Sequence, residues 1–347
     1  MTPWLAEATN LVNLLTTDPF RPHRFLKGPH LQTVVGTLVQ RRSVPTKTVI
    51  ERVELEDGDQ TTIHLNEPEN ATDDSPILLI LHGLEGSADR PYMNRTARKA
   101  LVEGFRTARM NMRLCGDAEN VSKRFYNGAQ SEDVSSVCSW LSDRFSRAPV
   151  TLMGFSLGGN LVLKAAGQSG CANLKGAVAV CPPVEPQRAV VELLKGFNRV
   201  YHYRFVCGMV SRARRYLERF PQPFIPPLSK TMTIREFDRL FTAPMGGYKS
   251  LEDYYEACSP KRWLKKMGCP SLIITAKDDP IVPFISFSDI MDLVPLLVPG
   301  NGGHLGFVGA PRNGDPDRFW AENRAIDFLK GALTSPANPV PATALSA

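Results

Sequence analysis

The segment Gly154-Phe155-Ser156-Leu157-Gly158-Gly159 carries the sharpest chemical signal in the chain. It follows the apolar run Val150 to Met153 and precedes a helix-like stretch from Asn160 to Ala166, so its G-x-S-x-G pattern lies where a strand turns into a helix. A serine at such a turn is forced into strained backbone geometry, and the flanking glycines let neighbouring main chain approach without a Cβ clash. The hydroxyl of Ser156 is then presented at a helix N-terminus. A serine that only fills a glycine-rich turn is the plainer alternative, and the strand-then-helix context argues against it.

A serine hydroxyl is a weak nucleophile until a base takes its proton, so the elbow calls for a histidine oriented by a carboxylate. Behind such an elbow the partners follow in the order Ser, Asp, His. Of the six histidines (23, 30, 64, 82, 202 and 304), only His304 lies beyond the last expected strand, between the glycines of Gly302-Gly303-His304-Leu305-Gly306. It is the expected base. Asp278 and Asp279 follow the apolar run Leu272 to Ala276, at a strand end of the kind where open α/β sheets bind ligands. Adjacent side chains point in different directions. Asp279, which heads a D-P-x-x-P turn ending at Pro283, is read as the partner of His304, and Asp278 as a hydrogen-bonding residue of the turn.

Acyl transfer also needs donors for the oxyanion that develops on the carbonyl. The backbone N–H of Leu157, next to the nucleophile, is one. The other is expected from the loop His82-Gly83-Leu84-Glu85-Gly86-Ser87 after the run Ile77 to Leu81, at Leu84. His82, directly behind a buried strand, reads as a hydrogen-bonded structural histidine and not as a second base.

These residues need a parallel sheet with crossover helices to position them, and short apolar runs alternate with helix-like segments through much of the chain. Thr48 to Leu55 and Thr61 to Leu65, separated by Asp57-Gly58-Asp59, form an expected leading hairpin. Ile77 to Leu81, Phe105 to Met112, Val150 to Met153, Ala177 to Val180, Leu272 to Ala276 and Val294 to Val298 are expected buried strands. Helices are expected at Tyr92 to Glu103, Glu132 to Phe145, Asn160 to Ala166 and Phe319 to Leu333, the last with Asp315-Pro316 as its start signal. The alternation stops between Pro182 and Gly268. The domain reading is therefore an N-terminal segment (1–47) packing on the core, a core (48–181 and 269–333), a cap insertion (182–268) and a disordered, proline-containing tail (334–347).

The 347 residues, 43% hydrophobic and 22% charged, suit a globular protein and exclude collagen-like, coiled-coil and low-complexity classes. No apolar run approaches the ~20 residues that cross a bilayer, and residues 1–15 lack the positive start of a secretory signal. Seven cysteines, an odd number without C-x-x-C, read as reduced core thiols, so a cytoplasmic location is expected. Neither a metal nor an organic cofactor is implied, since there is no H-E-x-x-H, P-loop or strand-linked G-x-G-x-x-G.

Taken together, Gly28-Pro29-His30-Leu31-Gln32-Thr33, His82 to Ser87, Glu132-Asp133-Val134 and the elbow form one set with motifs further along: Thr233-Ile234-Arg235-Glu236-Phe237-Asp238, Thr242-Ala243-Pro244, Asp253-Tyr254-Tyr255, Asp278-Asp279-Pro280 and Gly302-Gly303-His304. In these motifs, spread over residues 25 to 330, the chain resembles the YheT-type branch of the α/β-hydrolase superfamily, which takes in bacterial esterases and animal abhydrolase-domain lipases. The resemblance implies an α/β-hydrolase fold with a helical cap, and serine hydrolase chemistry on carboxylic esters with Ser156, Asp279 and His304 as the triad. The chain departs from the pattern at Asn111-Met112-Arg113-Leu114, where such proteins commonly read N-x-R-G, which puts the shape of that loop in question. His30 and Gln32 are read as anchors of the N-terminal segment rather than as lining of the site.

Between Glu185 and Phe220 stand eight Lys or Arg (188, 195, 199, 204, 212, 214, 215 and 219) against three Glu (185, 192 and 218), interleaved with aromatic and apolar residues. Such a cap could rest on anionic lipid or steer a phosphate-bearing substrate; a solvated face, or arginines paired with acids of the core, is the plainer reading. Nucleic acid is not expected as a partner, because no nucleic-acid module accompanies the charge. The substrate expected is a small-molecule or lipid ester. Rival readings are acyl transfer to an alcohol or amine, a phospholipase or lipase, and a non-catalytic binder on the same fold.

Overall fold

The computed structural model describes residues 2–16, 19–39, 44–168, 170–171 and 173–335. The expected tail falls almost wholly outside them. Two helices, α1 (Pro3–Leu15) and α2 (Pro29–Leu38), precede the hairpin of β1 (Val49–Glu54) and β2 (Gln60–Asn66). Then come β3 (Ile77–Leu81), α3 (Pro91–Val102), β4 (Arg106–Met110), α4 (Glu132–Arg144), β5 (Val150–Phe155), α5 (Leu157–Gly167) and β6 (Leu174–Val180). The chain next leaves the sheet through α6 (Pro186–Glu192), α7 (Arg199–Arg219), α8 (Ile234–Phe237), α9 (Ala243–Met245), α10 (Leu251–Cys258) and α11 (Lys261–Leu264). It returns as β7 (Ser271–Ile274), β8 (Leu296–Leu297) and α12 (Trp320–Thr334).

The eight strands form one sheet in the order β1-β2-β4-β3-β5-β6-β7-β8. β2 pairs antiparallel with β1 and β4, and every other pairing is parallel. This explains the sequence pattern. The central strands β3 and β5 are buried at every residue, so they read as unbroken apolar runs, whereas edge strand β1 buries only Val53. Crossover helices cover the sheet, with α1, α3 and α12 in one group and α4, α5 and α11 in another. In α7 the buried residues Val206, Met209, Val210, Ala213 and Tyr216 fall on one helical stripe, which seats the helix while its other side faces outward.

Three expectations need correction. The last strand shrinks to two residues because Pro295 and Pro299 lack the N–H groups that would extend its ladder. Asp315 does not start α12: it pairs with Arg324, and the N–H of Phe319 is taken by the Asp317 carboxylate at 2.9 Å, so the helix begins at Trp320. Finally, the cysteines are not all free, since Cys138 of α4 and Cys171, ahead of β6, form a disulfide. The odd count hid a pairing 33 residues apart, and the cysteine argument for a reducing compartment loses its footing. Cys115, Cys181, Cys207, Cys258 and Cys269 are free. No helix among the described residues is long and apolar enough to cross a membrane.

Candidate active site

β5 delivers Ser156 at the first position beyond its end, with φ +52° and ψ −120°, and α5 begins at the next residue. Two glycines make this turn possible. A Cβ on Gly154 would stand 2.2 Å from the Gly158 carbonyl oxygen, and one on Gly158 would stand 2.4 Å from that of His82. The N–H of Ser156 donates to Val180 O at 2.8 Å, tying the strained residue to β6.

His304 Nε2 lies 2.9 Å from Ser156 Oγ, and its Nδ1 lies 2.9 Å from Asp279 Oδ2. With Nδ1–H donated to the carboxylate, Nε2 is left as the acceptor for the serine proton. Asp279 Oδ1 also accepts the N–H groups of Ile281 and Val282 at 2.8 and 2.9 Å, so the carboxylate is held from two sides. Asp278 turns the other way and accepts the N–H of Gly303 at 2.9 Å, fixing the loop that carries His304. The structure thus joins Ser156, His304 and Asp279 in one hydrogen-bonded line and gives Asp278 a supporting place.

Leu84 and Leu157 flank the same space as Ser156. Leu157 is the first residue of α5, so its N–H has no intrahelical acceptor. Leu84 lies in a turn closed by Gly86 N–H to Gly83 O at 3.0 Å, followed by Glu85 at φ +56°. Tyr92 Oη accepts the N–H of Gly83 at 3.1 Å, and the Glu85 carboxylate is held by Tyr126 Oη at 3.0 Å and Arg212 of α7 at 3.2 Å. His82 sits beneath as a fully buried strut: Nδ1 donates to Gly83 O at 2.7 Å and Nε2 accepts the Met112 N–H at 3.1 Å. Burial pulls its pKa down to about 4; the Gly83 bond partly opposes this, and the charges of Arg212 and Arg90 add to it.

Sequence reasoning missed how α2 buttresses His304. Thr33 Oγ1 accepts the N–H of His304 at 2.9 Å, and Gly36 packs so close to Gly306 that a Cβ would come within 2.5 Å of its Cα. Gln32, buried, donates to Leu26 O and Val308 O and accepts from Val308 N–H at 2.7 Å. It anchors the segment as expected. His30 reaches the cap instead, with Nδ1 3.1 Å from Tyr201 Oη and its ring against Phe197. The Gly28 to Thr33 motif was the available signal. In the departing loop, Leu114 takes φ +58°, the conformation a glycine would adopt freely, and its carbonyl is bound by Arg212.

Two cavities meet at Ser156. One runs under the cap and is mostly apolar, with Leu157, Phe205, Met209 and Phe237 among its walls. Its polar end holds Asp238, whose carboxylate accepts from Thr242 and Tyr255 hydroxyls at 2.8 and 3.1 Å; burial lifts its pKa to about 7 against these bonds. The other opens past His304 between α2 and α7.

Two groups of side chains could be taken for metal sites. Cys181, Asp279 and His304 bring donor atoms within 4.8 Å of one another, but His304 is committed to Asp279 and burial pushes the Cys181 thiol up, keeping it protonated. His64, Asp89 and Asp117 likewise bring donor atoms within 4.8 Å of one another; here the imidazole sits between the two carboxylates, with Nδ1 3.3 Å from Asp89 and Nε2 2.5 Å from Asp117.

Residues 76–311 match the family described as the alpha/beta hydrolase fold. The chain is 33% identical to the Escherichia coli protein "Putative esterase YheT", covering 89% of this chain and 92% of that one. It is 28% identical to mouse "Phospholipase ABHD3", covering 85% and 74%. Among solved structures, a Pyrococcus furiosus esterase superposes with a TM-score of 0.54 at 14% identity over 84% of this chain and 97% of that one, a likeness of fold. With its sheet order, its serine elbow and these similarities, the chain belongs to the α/β-hydrolase family, in the branch that contains YheT.

Proposed function

We propose that the chain hydrolyses carboxylic esters through an acyl-enzyme formed on Ser156. The observation that carries this reading is the unbroken line from Ser156 Oγ through His304 to Asp279, ending at an apolar cavity. In this mechanism Ser156 Oγ attacks the ester carbonyl while His304 Nε2 takes its proton. Asp279 holds the imidazole in the required tautomer and stabilises the imidazolium that forms. The N–H groups of Leu84 and Leu157 receive the oxyanion. Collapse of the tetrahedral intermediate expels the alcohol, protonated by His304, and leaves the acyl group on the serine. Water, deprotonated by His304, then releases the acid.

The cavity under the cap suits an acyl chain and the α2–α7 cavity suits the alcohol. Relatives named phospholipase and monoacylglycerol lipase extend the substrate class to lipid esters, which the apolar walls favour. Turnover of p-nitrophenyl esters from short to long acyl chains tests the proposal, with Ser156→Ala in parallel. A rate maximum at one chain length that vanishes in the variant supports it; turnover unchanged by the substitution refutes it.

A further inference from the structure

The charge of the cap divides into two populations. Six of its eight basic residues are engaged: Arg188 with Glu185, Lys195 with Glu192, Arg212 with Glu85, Arg215 with Glu119, and Arg214 and Arg219 with the carbonyls of Leu228 and Glu119. Most of the cluster is therefore accounted for within the molecule. Arg199 and Arg204 differ, being exposed and without a hydrogen-bond or acidic partner among the described residues. Lys27, ahead of α2, is in the same condition.

These cations stand among apolar side chains that face outward. Phe197, in the 3-10 turn that leads into α7, and Val200 and Tyr203 in its first turns, at steps of three, are 58, 56 and 62% exposed, and Leu31 on α2 is 53% exposed. Val34 and Leu38 continue the α2 stripe. The ring of His30 packs on Phe197 at 4.6 Å between centroids and hydrogen-bonds Tyr201, fastening one stripe to the other. The mouth of the second cavity opens between them, with Val34, Leu38, Tyr201 and Arg204 at its rim and Ser156 and His304 inside.

We propose that this rim of α2 and α7 docks on an anionic lipid surface, with the mouth facing the bilayer. Such a surface offers both things the rim lacks: phosphate for Lys27, Arg199 and Arg204, and an apolar layer for Leu31, Phe197, Val200 and Tyr203. A second copy seated symmetrically would set cations against cations. The docking face stands on its own observations; that the substrate is a lipid ester drawn from the bilayer rests on the ester-hydrolase reading.

The test is co-sedimentation of the full chain with vesicles of phosphatidylcholine, alone or mixed with phosphatidylglycerol. Two variants avoid the cavity walls: Leu31→Ser/Val200→Ser/Tyr203→Ser and Lys27→Gln/Arg199→Gln. The wild type is expected to prefer the anionic vesicles and to leave them as salt is raised. The charge variant should bind about thirtyfold more weakly, from roughly fivefold per cation near an anionic leaflet, and the apolar variant at least about tenfold more weakly. Both should retain wild-type turnover of a soluble short-chain ester, which shows that they are folded. The proposal is overturned if the wild type ignores anionic vesicles, if the variants bind as it does, or if size-exclusion shows a dimer that the apolar variant dissolves. Vesicle binding without turnover of any ester would leave the docking face standing and sink the ester-hydrolase reading.

Discussion

His82 offers a measurement in which proton binding reports directly on the loop behind Leu84. Its hydrogen bonds require a neutral ring, because a proton on Nε2 would face the Met112 N–H that this nitrogen now accepts. Burial holds its pKa at about 4 in the folded state, against an unfolded value of 6.5. The folded state therefore binds fewer protons between these values. Its contribution to stability is complete above pH 6.5 and is lost as pH falls towards 4. By linkage the loss between pH 7 and pH 5 is about 2 kcal/mol, from 1.4 kcal/mol per pH unit across the part of the window traversed. Other groups titrate in the same range, so the assay is a difference: urea unfolding at pH 7 and pH 5 for the wild type and for His82→Gln. Glutamine keeps a donor and an acceptor but cannot take the proton. The variant starts less stable at pH 7, and its further loss on acidification should be about 2 kcal/mol smaller than that of the wild type. Parallel losses would show that His82 is not held neutral and would remove the argument that it is a strut.

Asp238 works in the opposite sense. Its folded pKa of about 7 exceeds the unfolded 3.8, so stability is lost as pH rises through that window, by up to roughly 4 kcal/mol; Asp238→Asn should flatten the pH 4 to 8 stability profile measured by urea unfolding. Thr33→Val leaves the buried N–H of His304 without an acceptor, a cost of about 1–3 kcal/mol, and should lower kcat more than it raises KM in steady-state ester hydrolysis. Arg212→Met removes the half-buried Glu85 carboxylate's cationic partner and leaves it only Tyr126 among the described residues, a loss of about 1.5–3 kcal/mol for a charge-assisted hydrogen bond; thermal unfolding should show that loss, together with a lower kcat from the displaced Leu84 turn. Gly154→Ala drives a Cβ into the Gly158 carbonyl and should abolish soluble expression.

Ser156 was legible because glycine spacing and an apolar run fix a local event, a strand turning into a helix. Asp279 and His304 followed from chain order, since each lies in the loop that follows its own strand. The central strands were legible for a related reason: a strand buried on both faces cannot hide its composition. What was not legible depends on residues far apart in sequence. Nothing around Thr33 says that its hydroxyl meets a histidine 271 positions away, and nothing around Cys138 names Cys171. The basic cluster read as one patch because composition does not distinguish an arginine held by Glu119 from one with no partner. Asp315 misled through local grammar: Asp-Pro is a sound start signal, but the tertiary pull of Arg324 outweighed it.

The strain at Ser156 also sets a direction for change. A residue at φ +52° and ψ −120° costs about 1–3 kcal/mol in any amino acid except glycine. The most stabilising replacement at this position should therefore be the one that removes the hydroxyl proposed as nucleophile. In a library of substitutions at residue 156, sorting for folding alone would enrich glycine, while sorting for ester turnover would retain serine. The two winners differ by the CH2OH side chain alone, and the gap between them measures how much stability the fold gives up to hold its hydroxyl in place.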